Sequence, residues 1–228
     1  MIVIQNEKLR GALKILIPAV LIPAVLVLGF TAFGDRRYAF LIIALVLLSF
    51  VLFLTGFEKK KTGTRRLILI AVLVALSVVG RFIPLFKPVT ALTIIAGIYL
   101  GKEAGFLTGA LAAVISNFYF GQGPWTPFQM FAWGIAGFVA GFLSEPLKRS
   151  RVLLLSYGFL TGVLFSLVMD VWTVVWYNET LALDAYLAAI VAALPFTLMY
   201  GISNVLFLML TAKPFGEKLE RVRVKYGV

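Results

Sequence analysis

The residues best suited to hold a ligand lie between Ser116 and Gly134, in the run S-N-F-Y-F-G-Q-G-P-W-T-P-F-Q-M-F-A-W-G. Asn117, Tyr119, Gln122, Trp125, Gln129 and Trp133 supply amides and rings that hydrogen-bond and stack but do no acid–base chemistry at neutral pH. Gly121, Gly123, Pro124 and Pro127 forbid one continuous helix, so the stretch is a short re-entry between two apolar runs. Trp172 and Trp176 are four positions apart and share one helix face. Asp170 is the only acid well inside an apolar run, and Arg81 lies near the end of another. An ionisable group at such depth faces a partner or a cavity. A salt bridge between Arg81 and Asp170 and a contact from either to a ligand are both open. They are compatible if the pair lines a pocket.

Other chemistries are missing. The chain has no Cys and no His, which removes thiolates, disulfides, the commonest general base and the commonest ligand for transition metals. There is no phosphate-binding loop with a Walker lysine, so ATP is not hydrolysed by this chain. No Ser–His arrangement and no pair of acids within the apolar runs offers a catalytic dyad or a two-metal site. The expectation is a binding protein, not an enzyme, with no cofactor.

The elements that position these residues are membrane helices. The chain is 61% hydrophobic and 14% charged over 228 residues, a balance far from the globular norm. Apolar runs cover Gly11–Phe33, Tyr38–Phe57, Leu67–Ile83, Val89–Leu100, Ala104–Phe118, Pro127–Leu143, Val152–Trp176 and Ala185–Ala212. The first run is too long for a signal-peptide core, contains Pro18 and Pro23, and shows no small-x-small cleavage site, so it reads as a retained helix. The expected architecture is an all-α integral membrane protein with eight transmembrane helices. A two-helix N-terminal hairpin (1–57) and a basic linker (58–66) precede a six-helix core (67–212), and a basic tail (213–228) follows it.

The net charge of +11 is mostly a matter of topology. With the N-terminus in the cytoplasm, the inner loops hold Lys8, Arg10, Lys14, the run Lys59 to Arg66, Lys102, Lys148, Arg149, Arg151 and the tail cations. Only Arg36, Arg37, Arg81 and Lys87 fall outside, which satisfies the positive-inside rule at every loop but the first turn. Both termini are then cytoplasmic, nucleic acid is not a partner, and the Ser116–Gly134 stretch is extracellular. Trp125, Trp133, Trp172 and Trp176 share that outer level. A lipid-headgroup belt is one reading of them, but the inner side has no Trp to match. Four tryptophans beside glycines and amides also suit a large flat ligand. Ala71-x-x-x-Ala75 is a small-residue face that lets another helix approach closely, as is the series Gly105, Gly109, Ala113.

These features together resemble the substrate-binding S-component of an energy-coupling factor (ECF) vitamin transporter. The resemblance rests on six core helices, the Ala71/Ala75 pair near the start of the first of them, and the Gly/Pro/Trp-rich loop between the third and fourth, and it covers about residues 64–215. The phrase from Phe120 to Gly134 is most similar to S-components assigned to cobalamin. Riboflavin, folate and a queuosine precursor are other substrates in the family. The resemblance implies a subunit of the plasma membrane that captures a vitamin from outside. It then docks on a shared transmembrane coupling protein carrying two cytoplasmic ATPase subunits. It implies that Ala71 and Ala75 form the docking face and that the outer loops close over the ligand. Residues 1–57 have no counterpart in a six-helix S-component, which leaves open whether the first core helix is free to dock. A self-contained secondary transporter of a small organic solute is the alternative, with Asp170 as its proton-coupling residue. A membrane protein with no small ligand is the third reading.

Overall fold

The structure, a computed structural model, describes residues 6–33, 38–55, 63–178 and 181–226. Apolar composition and the absence of water as a hydrogen-bond partner leave helix as the state that satisfies the backbone internally. The described residues form α1 (Glu7–Leu16), a wide turn of π-helix (Ile17–Leu21), α2 (Ile22–Phe33), α3 (Tyr38–Thr55), α4 (Gly63–Gly80) and α5 (Val89–Leu100). They continue as α6 (Lys102–Phe120), α7 (Trp125–Phe142), the short α8 (Ser144–Arg149), α9 (Arg151–Asn178) and α10 (Leu183–Tyr226). Among the described residues, Glu7–Leu28, Arg151–Asn178 and Leu183–Val222 are long and apolar enough to cross a membrane, and Phe40–Phe53 and Val89–Leu100 are shorter apolar helices. The turn at Gly34 to Arg37 and the lysines at 59–61 lie outside the described residues.

Local chemistry explains the details. Pro18 removes a backbone donor, and the chain absorbs the loss by widening to a π turn at Ile17–Leu21. Hydroxyls inside the helices are satisfied one turn back: Ser77 donates to the Leu73 carbonyl, Thr93 to Val89 and Thr108 to Ala104, each at 2.8 Å. Residues 144–149, read as loop from sequence, form α8, and Ser150 restarts the chain by accepting the Leu153 N–H at 3.2 Å. The last helix does not stop at Ala212. It continues to Tyr226 through Pro214, because Glu, Lys, Leu and Arg in that segment are all strong helix formers.

At the centre is α5, of which every residue except Tyr99 is buried. A helix that is apolar all round belongs inside a bundle, and α4, α6, α7, α9 and α10 surround this one. The helices α5, α6 and α7 meet at three glycines. A Cβ on Gly137 would lie 2.5 Å from the Gly105 carbonyl carbon and oxygen, and one on Gly105 would lie 2.7 Å from the Gly97 Cα. The N-terminal helices pack on the α6–α7 side, where Ile17, Ile22, Leu26, Leu45 and Leu52 join a buried cluster with Phe106, Ala110 and Ala113. An ion pair reinforces this attachment: Lys14 of α1 reaches the buried carboxylate of Glu103 at 3.4 Å, and Arg66 of α4 approaches the same group at 3.9 Å. On α4 the residues Ala71 and Ala75 are exposed, flanked by exposed Ile68, Val72, Leu76 and Val79.

Candidate functional site

The polar residues of the re-entry cluster where α4, α6 and α7 reach the same end of the bundle. Arg81 follows directly on α4, and its Nη1 donates to Ser116 Oγ at 2.5 Å and to Asn117 Oδ1 at 2.7 Å, both on the last turn of α6. Arginine only donates, so the Asn117 oxygen must face it and the Asn117 nitrogen must face away. That nitrogen donates to Thr126 Oγ1 and to Gln129 Oε1, each at 2.8 Å. The same reasoning, carried one residue on, leaves the Gln129 amide nitrogen as a donor. Gln122 stiffens the turn from behind: its Nε2 donates to the Val114 carbonyl at 2.7 Å, and its Oε1 accepts from Thr126 Oγ1 at 3.0 Å.

A cavity of about 150 Å³ opens beside this network. Arg81, Gln129 and Trp133 line one wall, Phe165 and Met169 of α9 a second, and Tyr200, Ser203 and Asn204 of α10 a third. Lys87 and Thr90 close the end. Trp133 stacks on Phe165 with centroids 5.0 Å apart and planes 10° apart, and Phe165 meets Tyr200 edge-on at 5.2 Å. The Arg81 guanidinium carbon lies 5.3 Å from the Trp133 ring centroid and 4.6 Å from that of Phe120. Larger clefts, of about 350 and 890 Å³, lie at the opposite end of the bundle. Exposed Arg151, Lys213 and Glu217 rim the first of these, whereas the smaller cavity is walled by buried Arg81, Trp133, Ser203 and Asn204. Aromatic and apolar walls with a few convergent polar groups are the typical lining of a specific small-molecule site.

The sequence-derived residues separate into groups. Arg81, Gln129 and Trp133 line the cavity, Asn117 links them, and Gln122 supports the link. Trp125, Trp172 and Trp176 form a chain of rings with centroids 5.7 and 6.1 Å apart, beside the cavity and not on its wall. Tyr119 is 72% exposed and packs on Phe82. The pairing of Arg81 with Asp170 is not formed: Arg81 bonds to Ser116 and Asn117, while Asp170 Oδ2 is buried with no hydrogen-bond partner. The indole nitrogen of Trp172, two residues on, is buried and unpartnered as well. We expect Asp170→Asn to weaken ligand binding more than it lowers the yield of folded protein. Equal affinity of mutant and wild type in a purified-protein titration would remove Asp170 from the site.

Sequence reasoning missed Lys87, Tyr200 and Ser203. Ser203 accepts the Lys87 backbone N–H at 2.9 Å and donates to the Lys87 carbonyl at 3.2 Å, so one hydroxyl clips the loop after α4 to α10. That loop is strained at Leu85, which sits in the left-handed region at φ 63°. Leaving two half-buried backbone groups unpaired costs about 1–3 kcal/mol per group. Ser203→Ala should therefore speed ligand release by tenfold or more in stopped-flow measurements, on the order expected for a loss of ~1.4 kcal/mol or more. Ser203→Thr, which keeps the hydroxyl, should restore the slow rate, and an unchanged rate in the alanine variant would discard the clip as a closure element. The neighbouring Asn204 donates across helices to the Gly158 carbonyl at 2.9 Å.

Comparison with protein families matches residues 61–221 to the model of the ECF-type riboflavin transporter, S component. Comparison with curated proteins and with solved structures gives no match. The matched segment spans α4 to α10 almost entirely and leaves the N-terminal helices outside it. With a polar cavity at one end of an all-helical membrane bundle, and with the family model covering most of its length, the chain belongs to the ECF-type riboflavin transporter S-component family, whose members are substrate-binding subunits with ATPase activity on partner proteins.

Proposed function

We propose that this protein captures a flavin-type vitamin, riboflavin or a close relative, at the outer face of the plasma membrane for an ATP-driven ECF importer. The observation that carries the reading is the cavity in which a donor network from Arg81 through Asn117 to Gln129 meets the rings of Trp133, Phe165 and Tyr200. A tricyclic ring system with carbonyl acceptors on one edge is complementary to such walls: faces on the aromatics, acceptors on the amide and guanidinium donors. Cobalamin, suggested by the Phe120–Gly134 phrase, finds no support in the family match, whose name carries riboflavin. At about 150 Å³ the cavity must open to admit a flavin, and a corrin ring, being larger, would require a wider opening.

In this reading eight spans place both termini in the cytoplasm, and the loop after α4 closes over the ligand from outside. The Ala71/Ala75 face of α4 receives the coupling protein, which carries two ATPase subunits. Its exposure supports that role, since the N-terminal helices cover α6 and α7 instead. Titrating the purified protein with riboflavin while following tryptophan emission tests the capture step, because Trp133 lies on the cavity wall. Saturable quenching that is lost in Trp133→Leu is the expected result. Quenching that never saturates would remove flavins from consideration.

A further inference from the structure

Two cations line the cavity, and no carboxylate is among its lining residues. Arg81 is 9% exposed; its Nη1 serves Ser116 and Asn117, and its buried Nε–H has no hydrogen-bond partner. Lys87 stands at the same end of the cavity on the loop after α4, half-buried and held by the Ser203 clip. Among the described residues no carboxylate forms an ion pair with either one, and the buried acid nearest in sequence to the cavity wall, Asp170, does not line it. Gln129 adds a third donor, since its oxygen is taken by Asn117. This end of the cavity therefore offers an amide N–H, a guanidinium N–H and an ammonium, with the indole and phenol of Trp133 and Tyr200 beside them.

A buried guanidinium and a half-buried ammonium lining one cavity repel one another and give up part of their hydration. Burial, and after it the charge of Arg81, pulls the Lys87 ammonium below its ordinary pKa. A topological role alone does not explain the arrangement, because a cation that serves only as an interfacial anchor has no need to line a cavity beside a second cation. An anion between Arg81 and Lys87 would supply the missing partner for Nε and offset both the repulsion and the desolvation.

We propose that the ligand of this cavity carries a negatively charged group, a phosphate or a carboxylate, and that Arg81 and Lys87 bind it while Trp133 and Phe165 hold an attached ring. This rests on the capture reading above and narrows its substrate class: among flavins, the site selects the 5′-phosphate over the neutral vitamin. Arg81 supplies the directional contact and Lys87 a mobile point charge. Lys87 is the better residue to test, because Arg81 also holds Ser116 and Asn117 together and its loss would disturb the fold of the re-entry.

The experiment is a calorimetric titration of the full-length protein in lipid nanodiscs with riboflavin and with riboflavin 5′-phosphate, on wild type, Lys87→Gln and Lys87→Arg. The expected result is that the phosphate binds at least tenfold more tightly than riboflavin, a difference of ~1.4 kcal/mol. Lys87→Gln should bring the affinity for the phosphate down to that for riboflavin, Lys87→Arg should keep most of the advantage, and raised salt should reduce it. Riboflavin binding as tightly as its phosphate, or an advantage that survives Lys87→Gln, overturns the proposal and leaves the capture reading intact. If neither flavin binds, the flavin reading falls, and mass spectrometry of the small molecule released from the protein purified from its own membranes decides the charge question. An anionic compound there upholds the proposal, and a neutral one or no compound overturns it.

Discussion

Ala71→Trp combined with Ala75→Trp should abolish uptake of the ligand by cells while leaving its binding to the purified protein unchanged. The two alanines lie one turn apart on α4 and are exposed, so indoles there disturb no internal packing. A small-x-x-x-small pair works by letting a second backbone come close, where dispersion contacts replace lipid. Two indoles would hold a partner helix several ångströms away, and that contact would be lost altogether. The cavity lies beyond the end of α4, at Arg81 and Lys87, and neither alanine lines it. The N-terminal helices raised the prospect that this face was already occupied. They pack on α6 and α7 through Ile17, Leu45 and Leu52 and are tied down by Lys14 and Glu103. Uptake that persists in the double variant would rule out α4 as the docking face.

Gly137→Val should prevent accumulation of folded protein. The valine Cβ would lie 2.5 Å from the Gly105 carbonyl and 2.7 Å from Thr93 Cγ2, and its neighbours are chiefly backbone, with no rotamer to move aside. Overpacking a core typically costs about 1–3 kcal/mol where side chains can adjust. Here α6 and α7 would have to part along much of their shared length, so the cost exceeds that range. Size-exclusion chromatography of the detergent extract should show aggregate in place of a monodisperse peak. Gly11→Ala is the control: nothing lies within 4 Å of a Cβ at that position, and the elution profile should not change. A monodisperse Gly137→Val variant with wild-type thermal stability would mean that α5, α6 and α7 do not meet as described.

The helical character of the chain and much of the site were legible in the sequence for a physical reason. Lipid imposes a strong length and composition signal, and polar residues between apolar runs are costly enough to stand out. Asn117, Gln129, Trp133 and Arg81 were visible on that ground, and three of the four line the cavity. Ser203 and Lys87 were not, because a clip between residues 116 positions apart leaves no local signature. Within its helix Ser203 reads like any hydroxyl able to bond one turn back. The meeting of Gly97, Gly105 and Gly137 was not legible either: Gly105 stood out only in a series of small residues four apart, such series are common in membrane helices, and only the packed bundle shows which glycines meet. Pairing Arg81 with Asp170 followed from charge and depth alone. It failed because uncharged acceptors, Ser116 and Asn117, take up Arg81 Nη1 instead.

The central claim is that this chain captures ligand but does not by itself power transport. Proteoliposomes containing the protein alone, or together with a coupling protein and two ATPase subunits, can be loaded with ATP and supplied with radiolabelled flavin. Accumulation that requires the partners and ATP hydrolysis, and that ignores an imposed proton gradient, is the predicted result. Accumulation by the protein alone, driven by a proton gradient and lost in Asp170→Asn, would contradict the account and identify a secondary transporter instead.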